Sequence, residues 1–425
     1  MDKLRDCLRT LKTETRDEFL NNIRPYWLSH SVDEINGGFF GVVNNRNEPD
    51  QKADKSAILN ARIMWTFSLT YQWLGDTESR QMAERAYNYF TTRFLDKKYG
   101  GIYWMLDHKG EVKDPKKHVY VQAFAIYGLV EYYAAFKDPE ALDKAKELYH
   151  LIENKCSDKE FGGYFEAYSR EWDPSDDVRL SSKDKNAPKS MNTHLHVLEA
   201  YTNLYRYEPR PELKERLEAL IDIFLNHIIN KKEASLNCFL DVNWESVAEL
   251  RSYGHDIETT WLLLEAAEVI EDSDRIRRVE QIIPSVIEQI IKHGLDEDGG
   301  LINERKGTHI IDHNKDWWPQ AEAMVGFLNV YSVTEDPKYL RAACDSWEFI
   351  KTYIIDHKYG EWFEKVNRDG IPYNELDKIR AWKAPYHNTR AIYEVNRRVD
   401  EILEMMVGQS EFAADYDAKQ MIRNK

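Results

Sequence analysis

The sequence predicts a mainly helical fold of six repeated helix pairs, and three observations predict it. A glycine-centred motif returns at intervals of roughly sixty residues along the whole chain. It stands as Asn36-Gly37-Gly38-Phe39-Phe40, Tyr99-Gly100-Gly101-Ile102-Tyr103, Phe161-Gly162-Gly163-Tyr164-Phe165, Asp298-Gly299-Gly300-Leu301-Ile302 and Tyr359-Gly360-Glu361-Trp362-Phe363. A sixth copy falls at Asn237-Cys238-Phe239-Leu240-Asp241, without its glycines. Each copy reads as a helix stop in left-handed backbone followed by a short hairpin of alternating aromatic and aliphatic residues. Between copies lie about forty to fifty residues of helical periodicity, enough for two antiparallel helices. Units of this kind bury one another's apolar faces in an open or a closed array.

Composition fits one large domain. The 425 residues are 42% hydrophobic, and no Ser-, Gly- or Pro-rich linker divides them. The net charge of −16 argues against nucleic acid and anionic membrane as partners, since both demand a basic face. The opening residues Met1-Asp2-Lys3-Leu4-Arg5-Asp6 carry charge where a signal peptide needs an apolar run, so the expectation is a cytoplasmic protein. Cys7, Cys156, Cys238 and Cys344 are far apart, lack metal-ligand spacing and read as reduced. Twelve Trp and 25 Tyr exceed what a core needs. A flat apolar face with a polar atom matches a sugar ring, although packing of an all-helical core uses many of the same residues.

Taken in order, a helix over 4–30 is bent or ended near Pro25 and leads into the first hairpin. The next, over 56–74, carries Arg62 among Ile58, Leu59, Ile63, Trp65 and Phe67, where the charge is either an oxyanion clamp or half of a buried ion pair. The run from His118 to Leu129 is apolar nearly all round, with Tyr120 and Gln122 near its start. The third unit has the longest hairpin, from Gly162 to about Lys189, and then Met191-Asn192-Thr193-His194-Leu195-His196. Histidines one residue apart point about 200° apart on a helix, which disfavours a shared metal; His196 lies on one face with Asn192. In Tyr253-Gly254-His255-Asp256-Ile257-Glu258, a helix stacks His255 on Glu258, giving a base with an orienting carboxylate or a chance pair on a solvated face. The fifth unit supplies Glu304 on its hairpin and Trp317-Trp318-Pro319 at a helix start, with one indole expected in the core and one at a cavity. The sixth gives Trp382-Lys383-Ala384-Pro385-Tyr386-His387.

Position binds these residues together. Arg62, Tyr120, His196, His255, Trp318 and His387 all fall near the beginning of the first helix after a hairpin, in six consecutive units. If the units close into a ring, they converge at one end on a pocket rimmed by hairpins. The chain has no phosphate-cradling loop, dinucleotide fingerprint or nucleophile elbow. Histidine, with an ordinary pKa of about 6.5, can both take and give a proton near neutrality, which suits cofactor-free proton transfer at carbon. A glycoside hydrolase needs a dominant pair of inward carboxylates, which this set lacks.

The segments Asn60-Ala61-Arg62, Met191 to His196, Gly254 to Glu258, Trp317 to Ala323 and Trp382 to Asn388, in this order, resemble the N-acylglucosamine 2-epimerase superfamily over residues 5–400. Within it they are similar to the branch acting on disaccharides. The resemblance implies an (α/α)6 barrel over 1–400 and reversible epimerisation at C2 of the reducing-end glucose of β-1,4-linked disaccharides, with no cofactor and no metal. It implies His387 and His255 as the acid/base pair, Glu258 orienting His255, and Arg62 with His196 binding oxygens at the reacting carbons. Tyr120, Asn192, Glu304, Trp318 and Trp382 match substrate-contacting positions. A monomer or weak homodimer is expected. The alternatives are a monosaccharide or N-acylglucosamine 2-epimerase, an aldose–ketose isomerase, and a sugar-binding barrel without catalysis. An acidic extension over 401–425 has no assigned role.

Overall fold

The computed structural model describes residues 2–423, with side chains described from Lys3 to Met406. The outer helix of the first pair is α1 (Asp2–Glu18), carried through a π-turn into α2 (Arg24–His30), and its inner partner is α3 (Ala57–Leu74). The later pairs run outer then inner: α4 (Thr77–Tyr89) and α5 (Val119–Phe136), α6 (Pro139–Lys155) and α7 (Met191–Tyr207), α8 (Pro211–Ile223) and α9 (Tyr253–Val269). They finish with α10 (Ser273–His293) and α11 (Trp317–Thr334), then α12 (Pro337–Phe349) and α13 (Tyr386–Arg423). Inner helices such as α5 are buried on nearly every face, whereas the outer α10 buries one stripe, Val279, Ile283, Val286, Ile287 and Ile290. The backbone of the expected acidic extension is helical as far as Arg423, within α13; the side chains of Glu411 and Asp415 lie outside the described residues. No helix among the described residues is long and apolar enough to cross a membrane.

The ring is closed, and strands at one end staple it. The residues just before each inner helix pair antiparallel with the hairpin of the following unit: Lys55–Ser56 with Met105–Leu106, Lys117–His118 with Ala167–Tyr168, and Lys189–Ser190 with Phe239–Leu240. The series continues with Leu250–Ser252 on Glu304–Lys306 and Lys315–Asp316 on Lys365–Val366. The sixth junction joins the last unit to the first through Ile379 and Val43, which exchange hydrogen bonds of 3.0 and 3.1 Å. On the outside, α1 meets the last unit through Trp347 Nε1 on Glu14 at 2.8 Å and Arg5 on the Met406 carbonyl at 2.7 Å.

The glycine pairs do not cap helices, as the motif alone suggested. Near the second copy the helical backbone ends at Phe94, and the glycines close a turn that begins at Asp96: Gly100 N donates to Asp96 O and Asp96 N to Gly101 O, both at 2.8 Å. Gly101 has φ +76°, and a Cβ there would meet the Trp172 indole at 2.5 Å, so backbone and packing both require glycine. The aspartate of each turn then pairs with a buried lysine in the segment before its own inner helix. The pairs are Lys55–Asp33, Lys117–Asp96, Lys189–Asp158, Lys315–Asp296 and Lys378–Asp356, at 2.7 to 3.0 Å. The fourth unit, which lacks the glycines, has Arg251 on Glu233 at 3.3 Å instead.

The reading of all four cysteines as reduced is corrected for two of them. Cys7 and Cys344, 337 residues apart, form a disulfide with a Cα–Cα distance of 6.7 Å, while Cys156 and Cys238 are free and buried. Ring closure is the cause, since it lays α1 against α12, and sequence distance conceals that contact. The link ties the two ends of the ring, so reduction enlarges the unfolded ensemble. Thermal unfolding with and without reductant is expected to show a lower Tm on reduction, for a loss of about 2–4 kcal/mol. Cys7→Ser should show the lower value in both conditions.

Candidate active site

The first turns of the six inner helices divide their labour by position. The fourth residue of a helix holds the hairpin: Gln122 Oε1 accepts from Ile102 N at 2.8 Å and Gln320 Oε1 from Leu301 N at 2.7 Å. His194 Nε2 accepts from Tyr164 N at 2.9 Å, and Asp256 Oδ1 from Leu236 N at 2.8 Å. The second and sixth residues, one turn apart on a shared face, line the barrel axis. They include Tyr120, Asn192 and His196, Glu258, Trp318 and Glu322, His387, and Arg62. His194 and His196 therefore part company as their angle demanded, one to the hairpin and the other to the axis.

The structure gathers the expected residues at the hairpin end. Arg62 donates from Nη2 to the Tyr120 hydroxyl at 2.9 Å and from Nη1 to the Trp382 carbonyl at 3.0 Å. Tyr120 lies edge-on to His196 at 4.9 Å between ring centroids and to Trp382 at 5.9 Å. Trp318 packs against both other histidines, 4.7 Å from His255 and 5.4 Å from His387, while Trp317 is in the core. Glu304 is opposite Ser252 in the strand pair that precedes α9, beside the start of the helix bearing His255. His255, Asn192, Glu304, Trp318 and Trp382 are partly exposed, whereas Arg62, Tyr120, His196, Glu258 and His387 are buried. The set thus has an open mouth and a closed floor.

Glu258 does not orient His255, contrary to the sequence reading. His255 Nδ1 pairs with the Ser252 hydroxyl at 2.8 Å, and Glu258 reaches down to Arg390 Nη2 at 2.6 Å, leaving its Oε2 buried without a partner. Three residues along a helix put the two side chains on neighbouring faces, but the third and sixth positions aim one at the rim and the other at the floor. The histidine–carboxylate pairs lie elsewhere: His387 Nδ1 to Glu322 at 2.7 Å, and His196 Nδ1 to Glu199 at 2.9 Å.

Electrostatics follows from burial. It lowers His255 to about 3, with help from His196, and pushes His387 well below its ordinary value, where Arg62 and Arg390 add to the effect. Both rings are neutral bases at pH 7. Burial pushes Glu258 up to about 7, reinforced by Glu322 and opposed by Arg390. Burial also raises Glu199, but Arg390 and His196 overcome it and hold this carboxyl below its usual range. Glu258, Glu322 and His387 bring potential metal-ligand atoms within 4.8 Å of one another, but Arg390 Nη2 lies 2.6 Å from both carboxylates and supplies the cation itself. At the far end of the barrel a separate chamber of about 840 Å³, lined by Trp73, Glu131, Arg206, Glu265 and Arg398, reaches the underside of Arg390.

Residues 38–391 match the family model described as N-acylglucosamine 2-epimerase. The chain belongs to the N-acylglucosamine 2-epimerase family. Among curated members, the cellobiose 2-epimerase of Bacteroides fragilis is 44% identical over 386 residues, covering 91% of this chain and 98% of that one. The cellobiose 2-epimerase of Dictyoglomus turgidum is 40% identical over 393 residues, covering 92% and 100%. The solved structure of cellobiose 2-epimerase from Bacillus thermoamylovorans B4167 superposes with a TM-score of 0.87 at 40% identity, over 92% of this chain and 100% of its own. The expected (α/α)6 barrel is therefore the observed fold, and this family member is a carbohydrate epimerase or isomerase.

Three members of the site escaped the sequence reading: Glu199, Glu322 and Arg390. For Glu199 a signal existed, since His196 and Glu199 have the same three-residue spacing as His255 and Glu258. The His387–Glu322 pair spans 65 residues and has no local signal.

Proposed function

We propose that the protein is a cofactor-independent 2-epimerase acting on the reducing-end glucose of β-1,4-linked disaccharides, converting cellobiose to glucosylmannose and lactose to epilactose. The observation that carries this is the pair of neutral imidazoles, His255 and His387, both packed against the Trp318 indole, with an arginine nearby that has no acidic partner among the described residues. Full-length similarity to proteins named cellobiose 2-epimerase supports the disaccharide. On this reading residues 1–400 form one catalytic domain, working in the cytoplasm as a monomer or weak homodimer.

The chemistry is cofactor-free. Ring opening comes first, because the C2 proton is acidic only when C1 is an aldehyde. A histidine takes the proton of the anomeric hydroxyl and returns one to the ring oxygen. His387 then removes the C2 proton; the C–H electrons form the C1–C2 double bond and the charge moves onto the oxygens. Arg62 and His196 stabilise this enediolate in a site largely closed to water. The anion raises the proton affinity of His255, which takes a solvent proton and delivers it to the opposite face of C2. In the reverse direction the histidines exchange roles. Tyr120, Asn192 and Trp382 hold the reacting sugar, and Glu304 and Trp318 at the rim receive the second one.

The reading is tested by carbohydrate analysis after incubation with cellobiose, lactose, N-acetylglucosamine and mannose separately, with and without chelator. A mannose-containing disaccharide is expected from the first two in either condition. Preference for N-acetylglucosamine would sink the disaccharide assignment, and binding without product would favour the non-catalytic barrel. Trp318→Ala and Glu304→Ala should each raise KM for cellobiose by about tenfold, the loss of one stacking or hydrogen-bonding contact of about 1–1.5 kcal/mol.

A further inference from the structure

Arg390 is the fifth residue of α13, 2% exposed, and faces carboxylates from three other helices. Its Nη1 bonds Glu199 of α7, and its Nη2 lies 2.6 Å from both Glu258 of α9 and Glu322 of α11. Its plane packs against the Tyr386 and Trp261 rings at 4.5 and 4.7 Å. Two of the carboxylates go on to hold an imidazole by Nδ1: Glu199 takes His196 at 2.9 Å and Glu322 takes His387 at 2.7 Å. A chain His196–Glu199–Arg390–Glu322–His387 thus runs beneath the site.

We infer that Arg390 is the positioning residue that fixes the tautomer of both histidines, as the cation bonded to the two carboxylates that face Nδ1 of each ring. Burial raises the Glu322 carboxyl and Arg390 opposes that rise, whereas at Glu199 Arg390 and His196 outweigh burial. The Nε2 atom of each ring, on the side away from the carboxylate, is then the unprotonated atom offered to substrate. Three buried carboxylates cannot all stay ionised without a cation among them. A protonated carboxyl would donate to Nδ1 instead, moving the ring proton to Nε2 and disabling the base. The other charged or titratable groups around Arg390 do not replace it. Tyr386 and Glu394 share its helix, Tyr127 comes from α5, and Arg62 on α3 is turned to Tyr120 and Trp382. Arg390 touches no reacting atom, and the inference rests on the assignment of His387 as a base in the reaction proposed above.

The test combines Arg390→Lys with the double variant Arg390→Met/Glu258→Gln, which also removes one surplus negative charge in case the lysine enzyme fails to fold. Nitrogen NMR of histidine-labelled resting enzyme reads the tautomers without substrate, and kcat and KM for cellobiose are followed against pH. We expect Nδ1–H rings at His196 and His387 in the wild type and a loss of that state in the variants. The kcat should fall by about 10²-fold with KM changed less, and the acid limb of the profile should shift. Variants that lose Tm but retain both tautomers and the wild-type pH profile would reduce Arg390 to a structural role, and Nε2–H rings in the wild type would overturn the inference outright. If the wild type does not epimerise cellobiose, the reaction assignment fails while the resonances still decide the tautomers.

Discussion

His387→Ala is expected to lower epimerisation of cellobiose by about 10³–10⁴-fold, the upper part of the range for general acid–base catalysis, because in the proposed mechanism the ring is the base for one face of C2 and in the structure it anchors a buried hydrogen-bond chain. His255→Ala is expected to lose a similar amount for the other face, and the double variant little more, since the pair acts as a unit. In heavy water, wild-type product should carry deuterium at C2, because the proton delivered on the second face is not the one removed from the first. A single-histidine variant can still exchange deuterium into recovered substrate, as the surviving base removes and returns a proton on its own side. Burial keeps His255 near 3 and His387 well below 6.5, so both rings stay deprotonated as pH falls through 6. A base needed in its neutral form loses activity only below its own pKa, which puts the acid limb of kcat/KM below that of an ordinary histidine. Near-normal epimerisation by both alanine variants, or product without deuterium at C2, would end the two-histidine mechanism.

The number of units and the end of the barrel that bears the site were legible because both depend on phase, and a repeat carries phase in its spacing. Arg62, Tyr120, His196, His255, Trp318 and His387 recur at one place in each unit, and the closed ring turns that recurrence into convergence. What was illegible depends on closure itself. Period does not encode curvature, so neither the Val43–Ile379 bridge nor the Cys7–Cys344 link can be read from spacing. The glycine pairs illustrate a subtler failure: left-handed backbone was right, but it belongs to an Asp-initiated turn beyond the helix end. The Asp–Lys pairs that tie those turns left a pattern that went unread, with Lys55, Lys117, Lys189, Lys315 and Lys378 each shortly before an inner helix. Glu258 shows the limit of i, i+3 reasoning. Spacing says which side chains are neighbours on one helix, and it is silent on a stronger partner such as Arg390 arriving from another.

Arg62→Met is expected to lower kcat by about 10²–10³-fold, the cost typical of removing a donor that faces a developing oxyanion. The structure removes one of the two readings that its sequence left open, the buried ion pair. Among the described residues Arg62 forms no ion pair; its partners are a hydroxyl and a carbonyl, and its Nε lacks any. The guanidinium also lies over the faces of Phe124 and Tyr386, at 4.4 and 5.2 Å, which holds it in place without neutralising it. A buried cation left without a counter-charge is costly to the resting fold and suited to an anion that exists only during turnover. Function and stability should therefore separate: the methionine variant loses catalysis but keeps or raises the Tm, where loss of a buried ion-pair partner would cost about 3–5 kcal/mol. Arg62→Lys keeps the charge but not the planar fork that serves Tyr120 and Trp382, so it should recover only part of the rate. Removing the positive charge also eases protonation of His387, which Arg62 now opposes, and the acid limb of the methionine variant should move to higher pH. Measuring Tm, kcat and the pH profile on the same preparation decides the matter. A methionine variant that is markedly less stable and retains its turnover would mean that Arg62 serves the fold and that the enediolate is stabilised by other groups.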